Sequence, residues 1–118
     1  MIKVSIDEGA AYDMLCILEI KSKKEPSIIK IRESIKLISL EISYVIGSEK
    51  HTLILYSDEY SNLYRANEEV FNLIDQLKKD PSLGLLIDQK NYARYLCKKG
   101  LMQRFFPDKI QQEIKLGY

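Results

Sequence analysis

The sequence predicts a mainly α fold, an antiparallel and coiled-coil-like helical hairpin with flanking helices and a small two-stranded sheet joining the termini. Three observations predict it. Apolar residues step three and four along two successive stretches, Ile28 to Val45 and Leu53 to Leu77. Gly47 and Ser48 separate those stretches. The two ends alternate apolar with polar residues instead, Ile2, Val4 and Ile6 at one and Ile114, Leu116 and Tyr118 at the other.

A lone short strand leaves its backbone groups unpaired, so residues 2–6 and 113–118 are expected to pair with each other and bring the termini together. Ser5 and Glu8 have the spacing of a capping box. They open a first helix near Asp7 in which Ala11, Met14, Leu15 and Leu18 share a face. The polar stretch KSKKEPS then bends the chain, and Pro26 fits the first turn of a second helix. That helix carries Ile28, Ile31, Ile35, Ile38, Ile42 and Val45 as a heptad seam and stops at Gly47, a position suited to a left-handed cap.

Ser48 is the expected cap of a third helix, whose seam runs through Leu53, Tyr56, Tyr60, Leu63, Asn67, Val70, Ile74 and Leu77. Two seams joined by a tight turn make the hairpin. Asp80-Pro81-Ser82 ends the third helix, because proline disfavours helix at the residue before it and lacks a donor. A fourth helix over residues 87–103 places Tyr92, Ala93, Leu96, Cys97 and Leu101 on one side, and FFPDK breaks it.

The 118 residues suit one domain spanning the chain. With 18 basic and 17 acidic residues and 46% apolar content, composition points neither to a dedicated nucleic-acid binder nor to a disordered acidic chain. Cys16 and Cys97 have no metal-ligand spacing. No apolar run approaches a membrane span, and no signal peptide is visible. The expectation is a reduced, cytoplasmic protein with no membrane association.

In the stretch YSDEYSNLYRANEEVFNLID, Tyr56, Tyr60 and Tyr64 stand four residues apart. Tyr56 and Tyr60 fall on the seam, and Tyr64 falls one position off it beside Phe71. Aromatic stripes at helical spacing usually pack into a core, and that reading is favoured here. Phenol hydroxyls prefer a wet or hydrogen-bonded end, so Tyr56, Tyr60, Tyr64 and Phe71 are the candidate partner-binding residues. Asn67 joins them, because one amide in an apolar seam lowers stability while fixing register and partner number; the other reading turns it to solvent.

Catalytic constellations are sparse. His51 is the one histidine and is read as a solvated side chain at the start of a helix. Neither cysteine has a nearby histidine or cysteine, and the carboxylates do not pair at one-turn spacing as magnesium-dependent helical pyrophosphatases require. The five glycines are scattered, so no phosphate loop forms. No metal, cofactor or catalytic residue is assigned, and the chain leans away from enzymes. An enzyme acting on a phosphorylated metabolite would need Asn67, Glu68 and Arg94 to line a cleft.

From Lys90 onward there are seven basic residues against two acidic ones, interleaved with aromatics. Arg94, Lys98, Lys99 and Arg104 could therefore meet phosphate or nucleic acid, with Tyr92, Tyr95 or Phe105 stacking beneath. A solvated basic face that complements the acidic first and third helices explains the same pattern and is preferred.

The segments MIKVSIDEGAAYDMLCILEIK, NLYRANEEVFNLID, NYARYLCKKGLMQRFFP and EIKLGY together resemble a family of small uncharacterised helical proteins of bacteria and tailed cyanophages. The resemblance spans most of the chain, although the second helix and its turn have no counterpart. It implies a shared helical architecture and an accessory, phage-encoded or host-encoded role, and it supplies no activity, cofactor or catalytic residue.

The leading expectation is thus a non-enzymatic protein-protein interaction or accessory protein that forms a homodimer or binds a host protein. Its basis is more apolar stripe than one hairpin partner needs. The alternative is a small protein binding nucleic acid or a phosphorylated ligand through the basic C-terminal helix.

Overall fold

The computed structural model describes residues 7–108, and every regular element among them is a helix. Helix α1, Glu8–Lys24, starts where Asp7 accepts the Ala10 amide at 2.7 Å. The cap is therefore Asp7 rather than Ser5. Glu8 in the first turn and Lys21, Lys23 and Lys24 in the last oppose the helix dipole from both ends. Pro26 sits in the turn that follows, not in the first turn of α2, which spans Ile29–Ile46.

Gly47 joins α2 to the short α3, Ser48–Leu55, with φ of 92°. The predicted glycine is in place, but Ser48 is already helical and makes no cap bond.

Two expectations of the fold class need correction. The sheet is the first: no strand exists among the described residues, and the segments assigned to it, 2–6 and 113–118, lie outside them. The hairpin is the second. The expected third helix divides at Tyr56 and Ser57 into α3 and α4, Asp58–Leu77. The cause is local hydrogen bonding. Ser57 donates its hydroxyl to the Ile54 carbonyl at 2.6 Å and accepts the Tyr60 amide at 3.1 Å, so it ends one helix and caps the next. Asp58 and Glu59 then supply acidic residues at the start of α4.

The break redirects the chain. Helix α2 packs on α1 and α3 and touches α4 marginally at most, so the two seams do not meet as paired rods. Helix α4 packs instead on α1 and on α5, Gly84–Phe105. Between α4 and α5, Asp80 accepts from the Ser82 amide at 3.1 Å and hydroxyl at 2.6 Å, and Pro81–Leu83 forms one 3-10 turn.

Helix α1 is the hub, touching α2, α4 and α5. Its Tyr12, Leu15 and Cys16 join Ile42 of α2, Ile54 of α3, Tyr60 and Leu63 of α4, and Leu101, Met102 and Phe106 in one core. Serving several neighbours requires more than one stripe, which explains why the buried set differs from the expected face; Met14 is exposed. Gly9 allows α5 close. A Cβ there would stand 2.9 Å from Met102 Cγ and 3.2 Å from Lys98 Cγ. On α5 the buried residues are Ile87, Leu101 and Met102, while Tyr92 and Leu96 face outward, opposite to expectation.

Candidate functional site

Three constellations could carry function, and the first two are interior. Asp13 of α1 is buried between α4 and α5, where it accepts from Asn67 Nδ2 at 2.8 Å and from Arg94 at 3.0 Å. Asn67 also donates to the Leu63 carbonyl at 3.1 Å. A buried carboxylate requires this degree of satisfaction, because taking it from water unpaired costs several kcal/mol. Asn67 is therefore buried, and its bond joins α4 to α1 within the chain.

The second constellation surrounds His51, which is buried rather than solvated. Its Nδ1 lies 2.8 Å from the Tyr12 hydroxyl and its Nε2 lies 2.7 Å from Ser39 Oγ. A neutral imidazole donates at one nitrogen and accepts at the other, and hydroxyls can match either tautomer. Burial lowers the His51 pKa and raises that of Tyr12.

A serine, a histidine and a third hydrogen-bonded group share the contacts of a nucleophilic triad, with Ser39 half-buried and His51 and Tyr12 buried. A cleft of about 240 Å³ between the start of α1 and the end of α2 has Tyr12 in its wall and neither His51 nor Ser39. The arrangement ties α1, α2 and α3 together. Its only sequence signal is the polar residue at each of three positions that helical periodicity would assign to apolar neighbours.

The sequence-predicted partner residues separate. Tyr60 and Asn67 are buried, Tyr64 and Phe71 are half-buried, and only Tyr56 is open, at 88% exposure, because it sits in the break between helices. Lys23 lies 4.8 Å from the Tyr64 ring centre and Lys24 lies 4.6 Å from that of Phe71, so both rings are covered from within the fold. The Tyr60 hydroxyl is buried beside Cys16 and Glu19 without a hydrogen bond of normal geometry. Burial pushes the Cys16 thiol up to about 12 and also raises the Glu19 pKa.

The predicted phosphate contacts are largely committed elsewhere. Arg94 holds Asp13, and Arg104 donates to Glu59 at 2.7 Å and draws that carboxyl below its usual pKa. Lys98 is half-buried near Gly9, and Lys99 is exposed, as is Arg104 in its pair with Glu59. Asn67 and Arg94 meet at Asp13 rather than across a cleft. Among the described residues no group of three or more His, Cys, Asp or Glu side chains is placed to hold a metal ion.

The third constellation is on the outside of α2, where sequence reasoning identified only the inner seam. That seam is partly covered: Ile42 is buried, Ile31, Ile35 and Ile38 are half-buried, and Ile28 and Val45 are exposed. On the opposite face Ile29, Leu37, Leu40 and Tyr44 are 61%, 62%, 68% and 92% exposed. Leu37, Leu40 and Tyr44 step by three and four, as in a heptad. Helix α2 is therefore apolar on two sides, a pattern normally found in helices covered all round. The signal was available: Leu37, Leu40 and Tyr44 lie between the isoleucines and add a second stripe.

Comparison with known protein families, with curated proteins and with solved structures finds no match to this chain.

Proposed function

We propose that the protein is a non-enzymatic interaction module whose outer α2 face docks an apolar-striped helix of a protein partner. The observation that carries the reading is the stripe Ile29, Leu37, Leu40 and Tyr44, at least 61% exposed at every member. A helix laid along it would remove these side chains from water at heptad spacing. The charged residues Lys30, Lys36 and Glu41 form the rim that such an interface requires. Both cysteines are free, in keeping with work in a reducing, cytoplasmic setting. No helix among the described residues is long and apolar enough to cross a membrane.

A photo-crosslinking residue in place of Leu40 tests the reading in producing cells, with Gln103 on exposed α5 surface as the control position. The expected product is a discrete protein adduct at position 40 that is absent from position 103. No adduct at position 40, or equal labelling at both, would overturn the reading.

A further inference from the structure

We infer that the helix docked on α2 is α2 of a second copy, running antiparallel about a two-fold axis between Leu37 and Leu40; this rests on the docking reading above. Three properties of the face lead there, beginning with its symmetry. Positions 33, 37, 40 and 44 on the outer side are evenly disposed about the midpoint of 37 and 40. An antiparallel copy therefore sets Leu37 on Leu40, Leu40 on Leu37, and Glu33 on Tyr44 twice. The Glu33 carboxylate, the one charged group inside the stripe, would accept from the Tyr44 hydroxyl of the other copy. A single face thereby satisfies itself, as an isologous contact must.

Electrostatics favour the same direction. The amino-terminal half of α2 carries Lys30, Arg32 and Lys36 against Glu33, whereas its later half carries Glu41 and no base. Its first turn has no acid and its last turn no base, so its charges add to its own dipole instead of offsetting it. An antiparallel neighbour brings the negative helix end alongside Lys30 and Arg32 and sets Glu41 level with Lys36. A parallel neighbour would place base beside base and add the two dipoles.

Size is sufficient. The 18 residues of α2 extend roughly 27 Å. Ile29, Leu37, Leu40 and Tyr44 offer on the order of 500 Å² of open apolar surface, taking roughly 150–200 Å² for a fully exposed large side chain. With the flanking lysine and glutamate stems this approaches the roughly 800 Å² per partner of a stable interface. A monomer would carry a patch at the upper end of what monomers tolerate.

Sedimentation of the full chain from about 5 to 200 µM, a range that spans micromolar association, should show a dimer. Leu37→Lys/Leu40→Lys should give a monomer with an unchanged helical spectrum. Direction is read separately. In a Cys97→Ser background, Glu33→Cys/Tyr44→Cys should oxidise to a covalent dimer whose peptide map joins position 33 to position 44. Links of 33 to 33 or 44 to 44 would overturn the antiparallel axis. A monomer across the whole range would overturn self-pairing, and if position 40 still crosslinks to another protein in cells, the docking reading survives that failure. If the lysine variant is misfolded, the disulfide map alone decides.

Discussion

Replacing Asn67 by alanine tests whether the Asp13–Asn67–Arg94 group holds α1, α4 and α5 in register. The substitution removes a 2.8 Å bond to an ionised carboxylate and leaves Arg94, at 3.0 Å, as the remaining side-chain donor. A hydrogen bond to a charged group contributes roughly 1.5–3 kcal/mol, and the bond to the Leu63 carbonyl supplements the helix ladder and adds little. The expected loss is about 2 kcal/mol, a considerable part of the roughly 5–15 kcal/mol that stabilises a small domain. Urea unfolding followed by far-ultraviolet dichroism measures it, with protein concentration held fixed so that association does not enter the difference.

Asn67→Asp sharpens the test. It places two carboxylates at hydrogen-bond distance, so at pH 7 it should be less stable than Asn67→Ala. At about pH 3, below the ordinary carboxyl range, a protonated side chain can donate as the amide does, and the order should reverse. A loss under about 0.5 kcal/mol for Asn67→Ala, or two variants that track each other from pH 3 to 7, would refute the reasoning.

Burial holds His51 below its ordinary pKa, so the unfolded chain takes up its proton first as pH falls. The stability owed to neutral His51 should be fully present above about pH 6.5, lost as pH falls through the lower folded value, and absent from His51→Gln; proton NMR of the single histidine should give a midpoint under 6.5. Gly100→Ala meets no atom within 4 Å and should raise stability by about 0.5–1 kcal/mol, whereas Gly9→Ala must displace Met102 and should gain nothing or lose about 1–2 kcal/mol in the same urea assay. Cys97, partly exposed, should react with a thiol reagent in the folded protein while Cys16, buried and with its thiol pushed up to about 12, reacts only on unfolding; equal rates would contradict the packing of α1.

The helices were legible because their punctuation is local. Asp7, Gly47 and Asp80-Pro81 act within three or four residues, and each marks a boundary near its expected place. Ser57 was legible in principle as well: serine followed by Asp58 and Glu59 is a helix start. The unbroken stepping from Leu53 to Leu77 obscured it, since heptad spacing continues across a bend that redirects the helix. The seam of α4 survived from Tyr60 to Val70, with Tyr60, Leu63, Asn67 and Val70 all buried, while Ile74 is exposed.

Which helix covers which was not legible. A periodic stripe specifies that a face will be covered without specifying by what, and here α1 took the position in the middle that the hairpin assigned to α4. His51 shows the same limit. Its partners Tyr12 and Ser39 are 39 and 12 residues away, and no local spacing announces a contact made by three separate helices.

The buried polar groups bear on the proposed interface even though none touches it. The hydrogen bond of 2.7 Å between Ser39 and His51 adds a directional constraint on the rotation of α2 to that of its packing. Ser39 precedes Leu40 and points inward, which sends Leu37, Leu40 and Tyr44 to the outside. The Tyr12 bond in turn fixes His51 against α1. A docking face held this way loses less conformational freedom on association than one that must first settle its own orientation. The interior histidine and the exposed stripe are thus two parts of one arrangement: the first sets the angle at which α2 is presented, and the second is what that angle exposes.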